Sequence, residues 1–334
     1  MVDKIQIGER WVGKGEPTFV IAEIGANHDQ KFDQAKKLID AAAISGVDAV
    51  KVQTFSADNL YPAGTDAHAA VRAVELPRHW IPELNQYAKQ KGLIFFASPF
   101  DNSGVDSLAE VDTPAFKIAS SEPVNLPLMK HIASKGKPVL LSTGMCDLAD
   151  IHEAIEVIYS EGNFDVALFQ CTSLYPTEPR HSHIRAMETL RVAFQLPVGL
   201  SDHTPGIHVS AAAVALGACM IEKTLTLSRG LTGPDHGYAL EPHEFSDLVN
   251  AIRITEEALG SPIKKLLPEE AEVARRDCIR AARNIKSGES LTAEMLTADR
   301  PAFGGIRPRL VSAVIGRTAK TDIIEGEPIT WNIV

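Results

Sequence analysis

The sequence predicts an α/β fold, a (β/α)₈ barrel followed by a small all-β domain. Three observations predict it. Eight short apolar segments alternate with amphipathic helical patterns, polar side chains gather where those segments end, and short strands and turns replace the helices after about residue 280. Strands that alternate with helices pair in parallel, and eight such units can close into a barrel. A doubly wound open sheet is the alternative, but no G-x-G-x-x-G motif follows the first segment.

The eight predicted strands are short and rich in β-branched and aromatic residues. In chain order they are FVIAEIG (19–25), DAVKVQTF (48–55), LIFFASPF (93–100), PAFKIAS (114–120), PVLLSTG (138–144), DVALFQC (165–171), LPVGLSD (196–202) and CMIEKTLT (219–226). Several of the helical patterns between them end at a glycine, which suits a helix C-cap. The predicted strands therefore recur along the chain regularly enough to predict the barrel.

The pattern after the last barrel helix predicts three segments: a catalytic barrel over 1–262, a linker with a short helix over 263–279, and an all-β domain over 280–334. Within the last segment, NIKSGESLT (284–292) matches DIIEGEPIT (322–330) at Ile, Gly, Glu and Thr. This weak repeat predicts two similar β-turn-β units. So short a domain has little core, and we expect it to pack against another surface.

Composition and net charge exclude several classes of function and partner. The 334 residues carry a net charge of −10, which disfavours nucleic acid and anionic membranes as partners. No run approaches the roughly 20 apolar residues that span a bilayer. The first residues lack the apolar region of a signal peptide, and the four cysteines form no C-x-x-C pair. We expect a cytoplasmic enzyme with reduced thiols.

Polar residues follow the predicted strands, at the end where (β/α)₈ barrels hold their active sites. Lys51 and Gln53 lie two apart on one strand and so share a face, which is unusual for a buried strand unless a ligand meets it. The other polar residues at these ends are Glu23, Asn27, His28, Ser98, Asp101, Lys117, Ser120, Glu122, Ser142, Gly144, Thr172, Ser173, Tyr175, Ser201, Asp202, His203, Glu222 and Lys223. We expect a ligand site at this end of the barrel, with Lys51 and Gln53 facing it, Asp101 as a helix N-cap and His28 in a structural position.

Three lysines at three strand ends, Lys51, Lys117 and Lys223, together with nearby hydroxyls and glycine, predict a site for phosphate or carboxylate. Each polar residue also has a structural interpretation. Lys51 could form an ion pair with Glu23, Asp101 suits a helix N-cap, and Asp202 could orient His203.

Seven motifs resemble those of the bacterial sialic acid synthase family, whose members make N-acetylneuraminate, legionaminate and pseudaminate. They are IAEIGANH (21–28), DAVKVQTF (48–55), FKIASSE (116–122), LSTGM (141–145), CTSLYPT (171–177), GLSDHT (199–204) and GPDH (233–236). The tail, with RPAFGGIRP (300–308), resembles the family's C-terminal antifreeze-like (SAF) domain. The resemblance covers nearly the whole chain in order.

This resemblance implies a condensation of phosphoenolpyruvate with the open-chain aldehyde of an N-acylated amino sugar, either N-acetylmannosamine or a diacetamido-trideoxyhexose. The products are a nine-carbon 2-keto acid and phosphate. It implies that phosphoenolpyruvate is bound by Lys51, Gln53, Lys117, Ser120, Ser142, Gly144, Ser173 and Ser201. It implies catalytic roles for Glu23, Lys51 and Glu122, with Glu122 the first choice for handling the water that attacks C2 of phosphoenolpyruvate, and hydrogen bonds to the sugar from Tyr175 and Asp235. It also implies a domain-swapped homodimer in which Arg300, or alternatively Arg307, reaches the partner's barrel.

The sequence departs from the family pattern at one of the expected metal ligands. The resemblance implies a divalent cation, Mn²⁺ or Mg²⁺, held by His203 and by a second histidine in the motif E-K-H-F. This chain has EKTLTL, so Thr224 occupies that position, and a neutral hydroxyl is a poor ligand for such ions. Three alternatives remain: His236 or Glu222 completes the site, the cation binds weakly through His203 and water, or the enzyme needs no metal.

Two other functions are alternatives to the phosphoenolpyruvate-dependent synthase. A Schiff-base aldolase would use a buried strand lysine to form an imine with its substrate. A non-catalytic barrel whose tail binds carbohydrate or ice would explain Thr224, but it would have no use for the lysines at the strand ends. The sequence leaves the identity of the amino sugar open.

Overall fold

A computed structural model describes residues 2–273, 276–302 and 304–334, and the chain divides into two compact units, Met1–Gly260 and Ser261–Val334. The strands of the first unit are β1 (Lys4–Ile7), β2 (Arg10–Gly13), β3 (Phe19–Glu23), β4 (Ala49–Thr54), β5 (Ile94–Pro99), β6 (Phe116–Ile118), β7 (Val139–Ser142), β8 (Val166–Cys171), β9 (Val198–Asp202) and β10 (Met220–Thr224). Its helices are α1 (Phe32–Ile44), α2 (Ala57–Leu60), α3 (Asp66–Arg72), α4 (Ile81–Gln90), α5 (Asn102–Glu110), α6 (Leu126–Ala133), α7 (Leu148–Ser160), α8 (Ala186–Phe194), α9 (His208–Ala215) and α10 (Pro242–Leu259), with 3₁₀ turns at Arg78–Trp80 and Pro179–His181.

Strands β3 to β10 form a closed parallel barrel, with β10 paired to β3. This confirms the predicted (β/α)₈ barrel, and each of the eight predicted strands is present. Local signals place the helices as well. Gly46 ends α1 with a φ of +78°, and Asp101 caps α5 by accepting a hydrogen bond from the Gly104 amide, as its structural interpretation predicted.

Alternation along each strand divides its side chains between two environments. On β3, Phe19 and Ile21 face the interior of the barrel, whereas Val20 and Ala22 pack outward against the helices. A hairpin formed by β1 and β2, which the sequence did not suggest, adds Ile5, Ile7 and Val12 to the interior cluster. That cluster includes residues at the beginning of strands, such as Phe19 and Met220, so the amino-terminal end of the barrel is filled with apolar side chains.

The second unit contains α11 (Pro268–Val273), β11 (Arg276–Ala281), β12 (Leu296–Ala302) and α12 (Val311–Val314), with 3₁₀ turns at Ala293–Met295 and Pro308–Leu310. Strands β11 and β12 are antiparallel. The predicted repeat is visible as a pairing, because Ile285 of the first copy forms a β-bridge with Ile323 of the second. Both copies turn at an equivalent glycine, Gly288 and Gly326, with φ of +89° and +80°. The predicted short helix of the linker is α11, and β11 begins inside the segment predicted to be linker.

Among residues 2–273, 276–302 and 304–334, no helix has the length and apolar character needed to cross a membrane.

Candidate active site

The carboxyl-terminal end of the barrel opens into a polar cavity of about 240 Å³. Its walls include the last inward-facing residues of the strands, among them Glu23, Lys51 and Glu222. A larger cavity, of about 710 Å³, lies beside Thr18, Val198 and Cys219, at the opposite end of the barrel. The larger one is mainly apolar, and barrels of this type carry their chemistry at the carboxyl-terminal end. The smaller polar cavity is therefore the candidate active site.

Two lysines and two glutamates form a buried charge network in this cavity. Lys51 Nζ lies 3.4 Å from Glu23 Oε1 and 3.8 Å from Glu222 Oε1, and Lys117 Nζ lies 3.4 Å from the same Glu222 oxygen. Gln53 joins it by donating Nε2–H to Glu23 Oε1 over 3.3 Å. Lys51 and Gln53, which share one face of β4, therefore both point into the cavity.

Burial and neighbouring opposite charges shift the pKa values of these four groups in opposite directions. Burial by itself would lower the pKa of Lys51, but the Glu222 and Glu23 carboxylates raise it, so Lys51 is an ammonium. Burial lowers the pKa of Lys117. Burial would raise the pKa of Glu222, yet Lys117 and Lys51 lower it, whereas burial raises the pKa of Glu23. Of the two carboxyl groups, Glu23 therefore holds a proton more readily and is the better suited to exchange one.

Hydroxyl groups and one backbone amide form a cradle on the neighbouring strands. The Ser120 hydroxyl donates to Ser142 Oγ over 3.1 Å and accepts from the Gly144 amide at 3.0 Å. A Cβ atom added to Gly144 would lie 2.5 Å from Ser173 Oγ and 2.8 Å from Ser120 Oγ. Only glycine leaves this space open. The serine hydroxyls and the Gly144 amide around it are hydrogen-bond donors that suit the oxygen atoms of a phosphate.

Aromatic rings line another wall. The rings of Tyr175 and His203 lie 4.4 Å apart, and the Tyr238 ring lies 5.9 Å from that of Tyr175. The Tyr238 hydroxyl donates to Asp235 Oδ1 over 3.0 Å, and Thr224 lines the same cavity. Sequence reasoning missed Tyr238, because it follows the GPDH motif in a loop and no strand pattern points it at the cavity.

Cys171 is a second residue that sequence reasoning missed. Its Sγ lies 3.9 Å from Nδ1 of His203, and this nitrogen also lies 3.0 Å from the carbonyl oxygen of Thr172. Burial would raise the pKa of Cys171, but the contact with His203 outweighs it and lowers the pKa to about 7. Its position two residues after Phe169, which faces the barrel interior, is the alternation signal that could have identified it.

Comparison with protein-family models matches residues 38–264 to the NeuB family and residues 276–334 to the SAF domain. The chain belongs to the NeuB family.

Three proteins illustrate the range of the similarity. An uncharacterized protein of Methanocaldococcus jannaschii is 41% identical over 99% of this chain and 98% of its own length. The N,N'-diacetyllegionaminic acid synthase of Campylobacter jejuni is 40% identical over 93% of this chain and 98% of its own. The crystal structure of N-acetylneuraminic acid synthetase from Leptospira borgpetersenii, in complex with citrate, superposes with a TM-score of 0.77 at 31% identity and covers 81% of this chain and 94% of that one. The SAF match confirms the small C-terminal domain predicted from the sequence.

Most of the site residues expected from the NeuB-family resemblance do meet at the cavity. Those on its walls are Glu23, Lys51, Gln53, Lys117, Ser120, Ser142, Tyr175, Ser201, His203 and Asp235. Gly144 and Ser173 lie against Ser120, in the cradle. Glu122 is not part of the lining, and its carboxylate accepts from Ser121 Oγ at 2.9 Å. Arg300 belongs to the second unit, where its exposed side chain pairs with Asp277 over 2.8 Å.

Three expectations for this NeuB-family chain need correction. Lys223 does not face the cavity, because it follows the inward-facing Glu222 and therefore points outward, where it pairs with Asp202 Oδ2 over 2.8 Å. Asp202 is thus held by Lys223 and does not orient His203. His236 is fully buried outside the cavity lining, with Nδ1 at 2.6 Å from Thr226 Oγ1 and Nε2 at 2.9 Å from Asp29 Oδ1. Both of its ring nitrogens are engaged, so it does not complete a metal site.

The donors at the cavity do not fit the two-imidazole metal site that the resemblance implies. His203 has Nδ1 engaged and retains only Nε2 for a cation, while Thr224, on the adjacent strand, offers a neutral hydroxyl. Across the three described ranges there is no group of three or more His, Cys, Asp or Glu side chains that could hold a metal ion.

Proposed function

We propose that this chain is a cytoplasmic synthase that condenses phosphoenolpyruvate with the aldehyde of an N-acylated amino sugar, giving a nine-carbon sialic-acid-type 2-keto acid and phosphate. The observation that carries the proposal is the placement of two buried lysines, Lys51 and Lys117, beside the cradle formed by Ser120 and Gly144. Phosphoenolpyruvate carries a carboxylate and a phosphate close together. Paired cations next to hydroxyl and amide donors match that distribution of charge.

The reaction requires that C3 of the enol form a bond to the aldehyde carbon while the aldehyde oxygen becomes a hydroxyl. Water adds to C2, and the bond between C2 and the phosphate oxygen breaks as the ketone forms. One proton of that water ends on the new hydroxyl, and the other leaves with hydrogen phosphate. Of the predicted acid–base residues, Glu23 lines the cavity and Glu122 does not, so we assign the proton transfer with water to Glu23.

The remaining side chains divide between the two substrates. Lys51 and Lys117 hold the anionic charge of phosphoenolpyruvate, with Gln53, Ser142, Ser173 and Ser201 as hydrogen-bonding partners. Tyr175 and Asp235, on the opposite wall, bind the sugar. Similarity to legionaminic and N-acetylneuraminic acid synthases supports an N-acylated amino sugar as the acceptor.

The proposal extends to a domain-swapped homodimer in which Arg300, or Arg307, reaches the sugar in the partner's barrel. Its exposed side chain leaves Arg300 accessible to such a contact. Sedimentation equilibrium tests the dimer. A loss of acceptor affinity in Arg300→Ala, with phosphoenolpyruvate affinity unchanged, tests the contact.

Phosphate release tests the function directly. Purified protein is incubated with phosphoenolpyruvate and each of a panel of N-acyl amino sugars, and inorganic phosphate is measured over time. Release that needs both substrates supports the synthase and identifies the acceptor. Release from phosphoenolpyruvate alone, or none with any sugar, counts against it.

A Schiff-base aldolase is the second candidate, and one observation favours it: burial lowers the pKa of Lys117, which makes its amine a better nucleophile. Borohydride added in the presence of pyruvate would trap an imine on Lys117 as a covalent adduct visible by mass spectrometry. The synthase forms no such adduct.

A further inference from the structure

Thr224 and Tyr238 form a hydroxyl pair at the edge of the cavity. Thr224 ends β10 next to Glu23 on β3, and its side chain is buried. The Tyr238 hydroxyl lines the same cavity as Thr224 and donates to Asp235 Oδ1 over 3.0 Å. The ring of Tyr238 stands edge-on to that of His203, with 6.4 Å between their centroids. Tyr238 thus lies beside the position at which the family resemblance places a second metal-binding imidazole.

The number of hydroxyl hydrogens decides how many hydrogen bonds this pair can donate. Two hydroxyl groups carry two hydrogens, and the contact with Asp235 uses one of them. The other, on Thr224, can turn toward an oxygen atom that enters between Thr224 and His203. Both side chains line the cavity, so such an oxygen has access to them.

We propose that the Thr224–Tyr238 hydroxyl pair, anchored by Asp235, hydrogen-bonds to the aldehyde oxygen of the acceptor and takes over the role of a divalent cation at this position. The inference rests on the proposed synthase function. Positioned donors stabilise the negative charge that develops on this oxygen as the carbon–carbon bond forms, because they are already oriented before the reaction. The donor set fits this role better than it fits a cation, because the described residues offer no group of three His, Cys, Asp or Glu side chains that could surround such an ion.

Single-atom variants test the hydroxyl pair. Tyr238→Phe keeps the ring and loses the hydroxyl, and Thr224→Val keeps the shape and loses its hydroxyl. Thr224→Val removes the free donor and should lower kcat roughly 100-fold, as the loss of one such donor does elsewhere. Tyr238→Phe should lower kcat less, because the Tyr238 hydrogen is donated to Asp235. The KM for phosphoenolpyruvate should stay unchanged in both variants. Tyr61→Phe, at a half-exposed tyrosine outside the cavity lining, is the matched control and should retain the wild-type kcat. A wild-type kcat in both cavity variants would overturn the proposal.

Manganese binding gives a readout that does not depend on activity. After treatment with chelator, the wild-type protein should release phosphate undiminished, and electron paramagnetic resonance should show added Mn²⁺ remaining free. The double variant Thr224→His/Tyr238→Ala supplies a second imidazole and removes the ring beside it. It should bind Mn²⁺ and lose the free-ion signal.

These measurements distinguish a failure of this inference from a failure of the proposed synthase function on which it rests. Wild-type protein that is inactive after chelation, recovers with Mn²⁺ and removes the free-ion signal would overturn the inference and leave the synthase standing. Wild-type protein that releases no phosphate with any acceptor, with or without Mn²⁺, would overturn the synthase and this inference together.

Discussion

Glu222 Oε1 lies 3.4 Å from Nζ of Lys117, and the same oxygen lies 3.8 Å from Nζ of Lys51. The second carboxylate oxygen, Oε2, is buried and has no hydrogen-bond partner among the described residues. One carboxylate is therefore shared between two buried ammonium groups, and neither lysine has a short, optimal ion pair. Such a network is costly to bury, but it leaves positive charge for an anionic ligand. Glu222 holds the two cations in place until that ligand arrives.

Lys117→Met should weaken phosphoenolpyruvate binding roughly 10- to 100-fold, because hydrogen bonds to charged groups contribute about 1.5–3 kcal/mol. Methionine retains the length of the side chain and removes only the charge. Isothermal titration calorimetry with phosphoenolpyruvate measures the change.

Lys223→Met is the matched control, since both lysines are buried near the ends of barrel strands but Lys223 points outward to Asp202. It should destabilise the fold by about 3–5 kcal/mol, because it leaves Asp202 buried without its cation. Phosphoenolpyruvate affinity of the folded protein should stay unchanged. Equal losses of affinity in the two variants would show that Lys117 has no special part in binding.

Gly144→Ala should fill the cradle. The added Cβ would lie 2.5 Å from Ser173 Oγ, closer than such contacts occur, so the serine hydroxyls must move or the ligand must be displaced. We expect weaker phosphoenolpyruvate binding with little loss of stability, measured by calorimetry and by thermal unfolding. Gly230→Ala is the control, because its nearest neighbour would be Ser228 Oγ at an ordinary 3.6 Å. Unchanged affinity in Gly144→Ala would mean that the phosphate lies elsewhere.

The barrel could be predicted from sequence because each strand is marked by local composition and each helix by its own period. Most of the cavity could be predicted too, since the end of each strand is known once the strand is. Lys223 shows where that reasoning fell short. Adjacent residues on a strand face opposite sides, so Glu222 and Lys223 cannot both point inward, and the sequence alone leaves open which of them does.

Loop residues could not be predicted in the same way. Tyr238 reaches the cavity through the path of the loop that follows β10, and that path depends on contacts distant in sequence, such as the one between His236 Nε2 and Asp29 Oδ1 at 2.9 Å. The β1–β2 hairpin was missed because its two strands are only four residues each. The pairing of Ile285 with Ile323, by contrast, follows the internal repeat that the sequence displays.

Ile323→Ala should destabilise the second unit by about 2–5 kcal/mol, because it empties a fully packed core position. Ile323 is 1% exposed and belongs to the core cluster that also contains Ile285. Ile324→Ala, at a neighbouring residue that is 69% exposed, is the control and should change stability little. Urea denaturation followed by circular dichroism measures both variants, and equal midpoints would contradict the assigned core.

Acid should weaken the fold through His28. Its buried ring packs edge-on against Trp80, and Nδ1 accepts a hydrogen bond from the Gln30 amide over 3.0 Å, so protonation would break that bond. Burial lowers the pKa of His28 from 6.5 to about 4. Between these values the unfolded chain binds a proton that the folded chain does not, so stability falls as pH falls from about 6.5 to about 4.

This loss should approach roughly 3 kcal/mol, at about 1.4 kcal/mol for each unit of pKa difference. The free energy of unfolding is measured by urea denaturation at several pH values across that window. His28→Phe, which keeps a ring against Trp80 but cannot titrate, should flatten the slope, whereas a variant of the exposed His152 on α7, His152→Gln, should leave it as it is. An unchanged slope in His28→Phe would assign the acid sensitivity to other groups, because only the titration of His28 differs between that variant and the wild-type chain in this window.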